Sequence, residues 1–330
     1  MSVPVIFINP PRETYRDILI APGELVSEVQ HVPSPASVIQ RPYTRMAGPY
    51  DVAALTREMN SNPSIVMCQW CCCDTSIPTN LGGIKCPKVL LVGDTHHTPQ
   101  PLTRAIRLAL SEPWDLVVLE FNEHHLKWFH EAGVFNAVCI PCFTISPIDM
   151  PPPAKRTRGV VFAGNVGPDH IYRRKILDAL TSRGIEIEHV QGTREQCAKA
   201  YNEALVSLNI SLNGDFNLRN YEISAAGGYQ ISERSFDNLN ELAKVLGSVS
   251  ELESIRDAKL AYLRYWGNNS PAYKVEKLWQ AVTEPGRDRN IQPKGDFWQR
   301  LSIYEKVQEF VMRGAISPAD FDGLPRWAIK

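Results

Sequence analysis

"GVVFAGNVGPDHIYRRKILDALTSRG", residues 159–184, is the stretch on which the reading of the fold turns. An apolar run from Val160 to Ala163 breaks at Gly164 and Gly167, and a helical pattern follows that stops at Gly184. One strand, one tight turn and one helix are predicted. Their weight comes from their position, because the same alternation has already run once upstream.

Between residues 50 and 145 the helical pattern "DVAALTREMN" (51–60) precedes the strand-like "SIVMCQWCC" (64–72) and "KVLLVGD" (88–94). A helix over 101–112, a strand "WDLVVLEF" (114–121), a helix "EHHLKWFHEAG" (123–133) closed by Gly133 and a strand "NAVCIPC" (136–142) continue the series. The stretch "SPIDMPPPAKRT" (146–157), with Pro147, Pro151, Pro152 and Pro153, interrupts it and reads as a stiff joint. After residues 159–184 come a strand "IEIEHV", a helix opening on the Thr193 cap, a strand "VSLNIS", a helix "LRNYEISAAGG", a strand "YQISE" and a helix "NLNELAKVLG". Continuous apolar strands separated by helices mean parallel sheets covered on both faces. The expected architecture is α/β: two Rossmann-like, doubly wound domains facing a cleft, at residues 1–150 and 151–285. Residues 286–330 read as a C-terminal helical segment, with "DFWQRLSIYEKVQEFVMRG" the best amphipathic stretch.

Composition agrees. At 330 residues the chain exceeds the size one core usually organises, and domains of about 150 residues are the natural division. A 44% hydrophobic share and a net charge of -1 describe a globular protein with no electrostatic call for DNA or a membrane surface. No apolar run approaches the length of a membrane span, and "VPVIFI" before Pro10 is too short for a signal core, so a cytoplasmic location is expected. The cysteines pose a separate question. Cys68, Cys71, Cys72 and Cys73, with Cys139 and Cys142 downstream, have spacings that zinc knuckles use. Lying in strands that a two-sided sheet buries, they read instead as small apolar core residues and reduced thiols.

Ligands in open α/β sheets bind beyond the carboxyl ends of the strands, so the loops there are the candidate sites. After the first strand of the second domain, Gly164 and Asn165 allow backbone to approach a phosphate, and Arg173 in the next helix offers a bidentate cation. "LLVGDTHHTPQ" (90–100) places Asp94, His96 and His97 beyond a first-domain strand, where a histidine can hydrogen-bond a sugar or act as a base. The same three residues are also read as metal ligands of a phosphoesterase, although the remaining parts of such a site are not found in the chain. "EHHLKWFH" lacks the order of a zinc helix, so His124, His125 and His130 are expected to face solvent while Trp128 and Phe129 pack. The pair Asp320 and Asp322 reads as a turn near the terminus.

The most specific signal is "LNGDFNLRNYEISAAGG" (212–228), whose R-x-x-E-I-x-A-A-G-G segment follows "LVSLNIS". It resembles the donor-binding segment of GT-B glycosyltransferases, in particular the CgeB-like group, with Phe162, Gly164, Arg173 and Glu222 in the family's order. The resemblance covers roughly residues 158–285 and implies transfer of a sugar from a nucleotide diphosphate, UDP or GDP, to a hydroxyl of a glycan, a protein, a small molecule or a modified base. It implies Glu222 on the ribose, Gly164, Asn165 and Arg173 near the diphosphate, Arg219 supporting the loop or the phosphate, and Gly227 and Gly228 allowing close helix packing. It further implies His96 or His97 toward the sugar or acceptor, no cofactor beyond the nucleotide sugar, no metal, and closing helices that cross back to the first domain. One departure stands: the first glutamate of the related E-x7-E pattern is replaced by Gly214, which leaves the sugar and the stereochemical outcome open. A nucleotide-binding protein without catalysis is the remaining alternative.

Overall fold

The structure, a computed structural model, describes residues 5–9, 38–42, 48–58, 65–72, 76–96, 98–141, 147–212, 217–268, 277–278, 280–282, 293 and 295–312. The chain divides into two compact units, Met1–Ile145 with Pro271–Lys306, and Ser146–Ser270 with Val307–Lys330.

In the first unit six parallel strands, β1 (Val5–Asn9), β2 (Val38–Pro42), β4 (Ile65–Trp70), β6 (Lys88–Val92), β7 (Leu116–Leu119) and β8 (Ala137–Cys139), lie in the order β2-β1-β4-β6-β7-β8. A separate parallel pair joins β3 (Gly48–Asp51) to β5 (Ser76–Thr79). The alternate side chains Val66, Cys68, Trp70, Leu90, Val92, Val117 and Leu119 face one core with helices α1 (Val52–Glu58), α2 (Pro101–Ser111) and α3 (Leu126–Glu131). Ile65, Met67, Val89, Leu91, Leu116 and Val118 face the other, with Leu278. Cys68, Cys71 and Cys72 are therefore core residues, and burial pushes the Cys68 and Cys139 thiols up to about 12. Among the described residues no group of three His, Cys, Asp or Glu could hold a metal ion, and Cys73 and Cys142 lie outside them.

The closing helix Phe297–Met312 puts Phe297 and Leu301 into the first unit's core, each worth about 1.5–3 kcal/mol of burial. The same helix mends a defect in α2. That helix opens on Gln100 in the left-handed region without a side-chain cap, and Glu305 instead accepts Thr103 N–H and Thr103 Oγ1–H, both at 2.7 Å. The strands β1 and β2 were not expected from the sequence, and the helix expected over 123–133 is a 3-10 turn, Glu123–His125, followed by the short α3.

In the second unit β9 (Arg158–Ala163), β10 (Ile187–Val190), β11 (Ala204–Asn209) and β12 (Gln230–Ser232) form a parallel sheet in the order β10-β9-β11-β12. Val160 and Phe162 pack with the helices Ile171–Thr181 (α4) and Leu239–Leu246 (α7). On the opposite face, Val161 and Ala163 pack against Arg194–Glu203 (α5) and Leu218–Ala225 (α6), while α8 spans Glu251–Asn268. The α5 start is a full capping box between Thr193 and Gln196. Buried Arg156, from the proline-rich stretch, donates to the carbonyls of Asn202 and Gly227 and so joins the ends of α5 and α6. From β9 the chain moves to one edge for β10, then returns past β9 to β11. The order reverses there, which makes the exits of β9 and β11 a topological switch point.

Gly227 ends α6 at φ +63, and a Cβ there would lie 2.5 Å from the Met150 carbonyl oxygen and 2.6 Å from Pro152 N. Gly184 has φ +84 but nothing within 4 Å. Gly227→Ala is expected to cost about 2–4 kcal/mol and Gly184→Ala about 1 kcal/mol, read from urea midpoints. Equal losses would mean that only backbone conformation, and not close approach, matters at Gly227.

Candidate functional site

Of the residues expected in the second unit, Gly164, Asn165, Arg173 and Arg219 meet at its switch point, whereas Gly227 and Gly228 lie at the far end of α6, before β12. A Cβ on Gly164, just past β9, would sit 2.2 Å from Arg219 Nη2, so the guanidinium occupies the space that the missing side chain leaves. Arg219 lies over the Phe162 ring, 5.0 Å from its centroid, and Nη1 donates to Asn209 Oδ1 at 3.2 Å, at the end of β11. Asn217 Nδ2 donates to the same oxygen at 3.1 Å. Both exits are thus tied to the start of α6. On the following turn of α6 is Glu222, partly buried; burial raises its carboxyl, opposed by the charge of Arg219 and then of Arg194. Asn165 folds back on its own loop, accepting Gly167 N–H at 2.7 Å.

Arg173 is placed differently from a residue directed only at a phosphate. It is buried, its Nε donates to the Ile210 carbonyl at 3.0 Å, and Nη1 reaches the Asn165 carbonyl at 3.4 Å. Gly227 and Gly228 allow α6 to sit against its neighbours: a Cβ on Gly228 would come within 2.9 Å of the Tyr201 carbonyl oxygen. Three residues of this site were not singled out in the sequence. His189 Nε2 lies 2.7 Å from the Gly164 carbonyl oxygen, Asn209 takes the hydrogen bonds just described, and Glu233 sits fully buried just past β12. Only their place at strand exits could have signalled them.

In the first unit Asp94 and His96 follow β6, with Asp94 half-buried and His96 buried. The Asp94 carbonyl accepts Cys72 N–H at 3.1 Å, and the Cys72 carbonyl accepts from Arg104 Nη1 at 2.8 Å and Thr98 Oγ1 at 3.0 Å, which stitches the β4 and β6 exits together. His97, Gly214 with its neighbours Asn213 and Asp215, and the Asp320–Asp322 pair lie outside the described residues.

The expectation that the other histidines face solvent fails at His125, which is wholly buried. Its Nδ1 is 2.8 Å from Thr95 Oγ1 and its Nε2 is 3.1 Å from Tyr304 Oη. The cause is local: helical spacing begins only at Leu126, so the 3-10 turn directs His125 inward. Burial, and then the charges of His124, His96 and Lys127, hold it well below the usual histidine range. A neutral ring can donate from one nitrogen and accept at the other. Gln69 and Glu120, hydrogen-bonded at 3.0 Å, add a second buried polar pair on these strands.

Comparison with known proteins gives a likeness of structure only. No protein-family model matches the chain, and no curated protein does. Among solved structures it is similar to TarM, at 14% identity and TM-score 0.48, over 70% of this chain and 57% of that one. It is similar to sucrose-phosphate synthase from Thermosynechococcus elongatus, at 12% identity and TM-score 0.45, over 69% of this chain and 75% of that one. The pneumococcal O-GlcNAc transferase GtfA, in complex with UDP and GlcNAc, matches at 12% and 0.44, over 70% of this chain and 59% of that one. These neighbours are GT-B glycosyltransferases. The chain thus spans little more than half the length of TarM and GtfA, and the roles of its residues come from the chain itself. No helix among the described residues is long and apolar enough to cross a membrane.

Burial pushes the Glu233 carboxyl up to about 7, against the Ser211 N–H, the Arg234 charge and the Ser232 hydroxyl. An unfolded glutamate titrates near 4.3, so between these values the folded chain holds the extra proton and stability falls as pH rises from about 5 through 7. Glu233→Gln, which never ionises, is expected to gain on the parent by the order of a few kcal/mol between pH 5 and pH 8 in urea unfolding. A constant difference across that range would show that Glu233 does not titrate there.

Proposed function

We propose that the protein is a glycosyltransferase of the GT-B kind that binds a nucleotide-diphosphate sugar, a UDP- or GDP-sugar, in its second unit and passes the sugar to an acceptor hydroxyl. The observation that carries this reading is the meeting of Gly164 and Arg219 at the β9/β11 switch point, with Glu222 one turn further along α6 and within reach of the Arg219 charge. A crevice of this kind presents what a nucleotide needs: a glycine exit that lets backbone approach the phosphates, a cation against their charge, and a carboxyl group to accept ribose hydroxyls.

The chemistry asks little else of the protein. As the bond to the leaving diphosphate breaks, negative charge grows on its oxygens, and Arg219 with the N–H groups at the start of α6 opposes that charge without a resident metal. In the first unit His96, or His97 beside it, would hydrogen-bond the sugar or take the acceptor's proton. The nearly neutral chain favours a glycan, protein or small-molecule acceptor over DNA. The residues leave hexosyl and pentosyl transfer equally open.

Two substitutions separate the site from the fold. At Gly164→Ala the new Cβ would meet the far end of the Arg219 side chain and, at 3.1 Å, the Phe162 ring, so it displaces the guanidinium and is expected to leave thermal stability within a few degrees. Glu222→Ala removes the carboxyl. With UDP, GDP, ADP, CMP and dTDP sugars screened by thermal shift, each variant is expected to bind the best nucleotide about tenfold or more weakly than the parent, roughly 1.4 kcal/mol. Undiminished binding by Glu222→Ala would sink the assignment. Activity lost to a chelator, with stoichiometric bound metal, would favour phosphoester hydrolysis at Asp94 and His96 instead.

A further inference from the structure

Ile210 and Ser211 share one peptide unit just past β11, and two side chains grip it at its two polar ends. Arg173 Nε, from the first turn of α4, donates to the Ile210 carbonyl at 3.0 Å. Glu233 Oε1, just past β12, accepts Ser211 N–H at 2.8 Å, while Ser232 Oγ donates to its second oxygen at 3.1 Å. The carbonyl and N–H of a planar peptide turn together, so holding both fixes the plane. Arg173 also reaches the Asn165 carbonyl, so one guanidinium spans the exits of β9 and β11. All four residues are buried, Ile210 at 0%, Glu233 at 1%, Ser211 at 2% and Arg173 at 8% exposure.

We propose that Arg173 and Glu233 are positioning residues that clamp the Ile210–Ser211 peptide, hold the neighbouring Asn209 in place, and so place Arg219, and with it Glu222 on the next turn of α6, for nucleotide binding. This rests on the reading of that site given above. The fold alone does not call for such a device. Strand pairing of β11 ends at Asn209, before the clamped peptide. Well-packed apolar side chains of similar volume commonly stabilise a core as well as buried ionisable groups do. What a carboxyl group and a guanidinium add is direction, because each bond is geometrically demanding. Asn209, next to the clamped peptide, accepts from both Asn217 and Arg219 at the start of α6. Misplacing binding groups by about an ångström can cost 10²-fold in function.

The test keeps volume and changes only the acceptor. Glu233→Gln retains an oxygen for Ser211 N–H; Glu233→Leu, or Glu233→Met if the leucine variant does not fold, removes it. At pH 7 the glutamine variant is expected to bind UDP within about threefold of the parent, and the apolar variant about tenfold or more weakly. Amide exchange at residues 210–212 should accelerate in the apolar variant alone. A role in folding only would lower the melting temperature and leave UDP affinity unchanged. Parent-like affinity in the apolar variant, or a glutamine variant as weak as the apolar one, overturns the clamp. If the parent binds UDP and every other nucleotide equally poorly, the donor-site reading falls by itself. The clamp is then decided by exchange, and unchanged protection of residues 210–212 in the apolar variant overturns it.

Discussion

The Arg219 guanidinium fills the space where Gly164 has no side chain, and the arrangement of the second unit's strand exits depends on that contact. A parallel sheet whose strand order reverses must send successive helices to opposite faces, which leaves the exits of the two middle strands without a helix between them. Something must hold those exits. Here it is one arginine over Phe162, bonded to Asn209, together with a second arginine, Arg173, bonded to carbonyls of both loops. Any side chain at Gly164 would displace the first of these.

Both units solve the same problem of polar groups at the ends of buried strands. Strands with two covered faces end abruptly, and their exit peptides must find partners away from water. The second unit uses Arg173 and Glu233. The first uses the Cys72 carbonyl with Arg104 and Thr98, and the chain Thr95–His125–Tyr304. Groups fixed in this way are preorganised, as the binding of a charged ligand requires.

Strands and helices of both units were legible because burial on two faces writes continuous apolar runs, and because Gly133, Gly184 and Gly227 mark helix ends with positive φ. β1 and β2 were missed: "VIFIN" and "VIQRP" are five residues each, with no bounding helical pattern to identify them. Gly164, Arg219 and Glu222 could be picked out since the turn and the helix that carry them are local. Glu233 and His125 could not, because their meaning lies in partners 22 and 179 residues away. The same holds for Arg173, whose orientation depends on a carbonyl 37 residues downstream.

We propose that the nucleotide is held at the β9/β11 switch point. Titrating UDP into isotope-labelled protein and following backbone amide resonances tests it directly. The largest shifts are expected on Gly164, Asn165, Ile210, Ser211 and the first two turns of α6. Saturable shifts confined to the β6 and β7 exits of the first unit, with those residues unmoved, would contradict it.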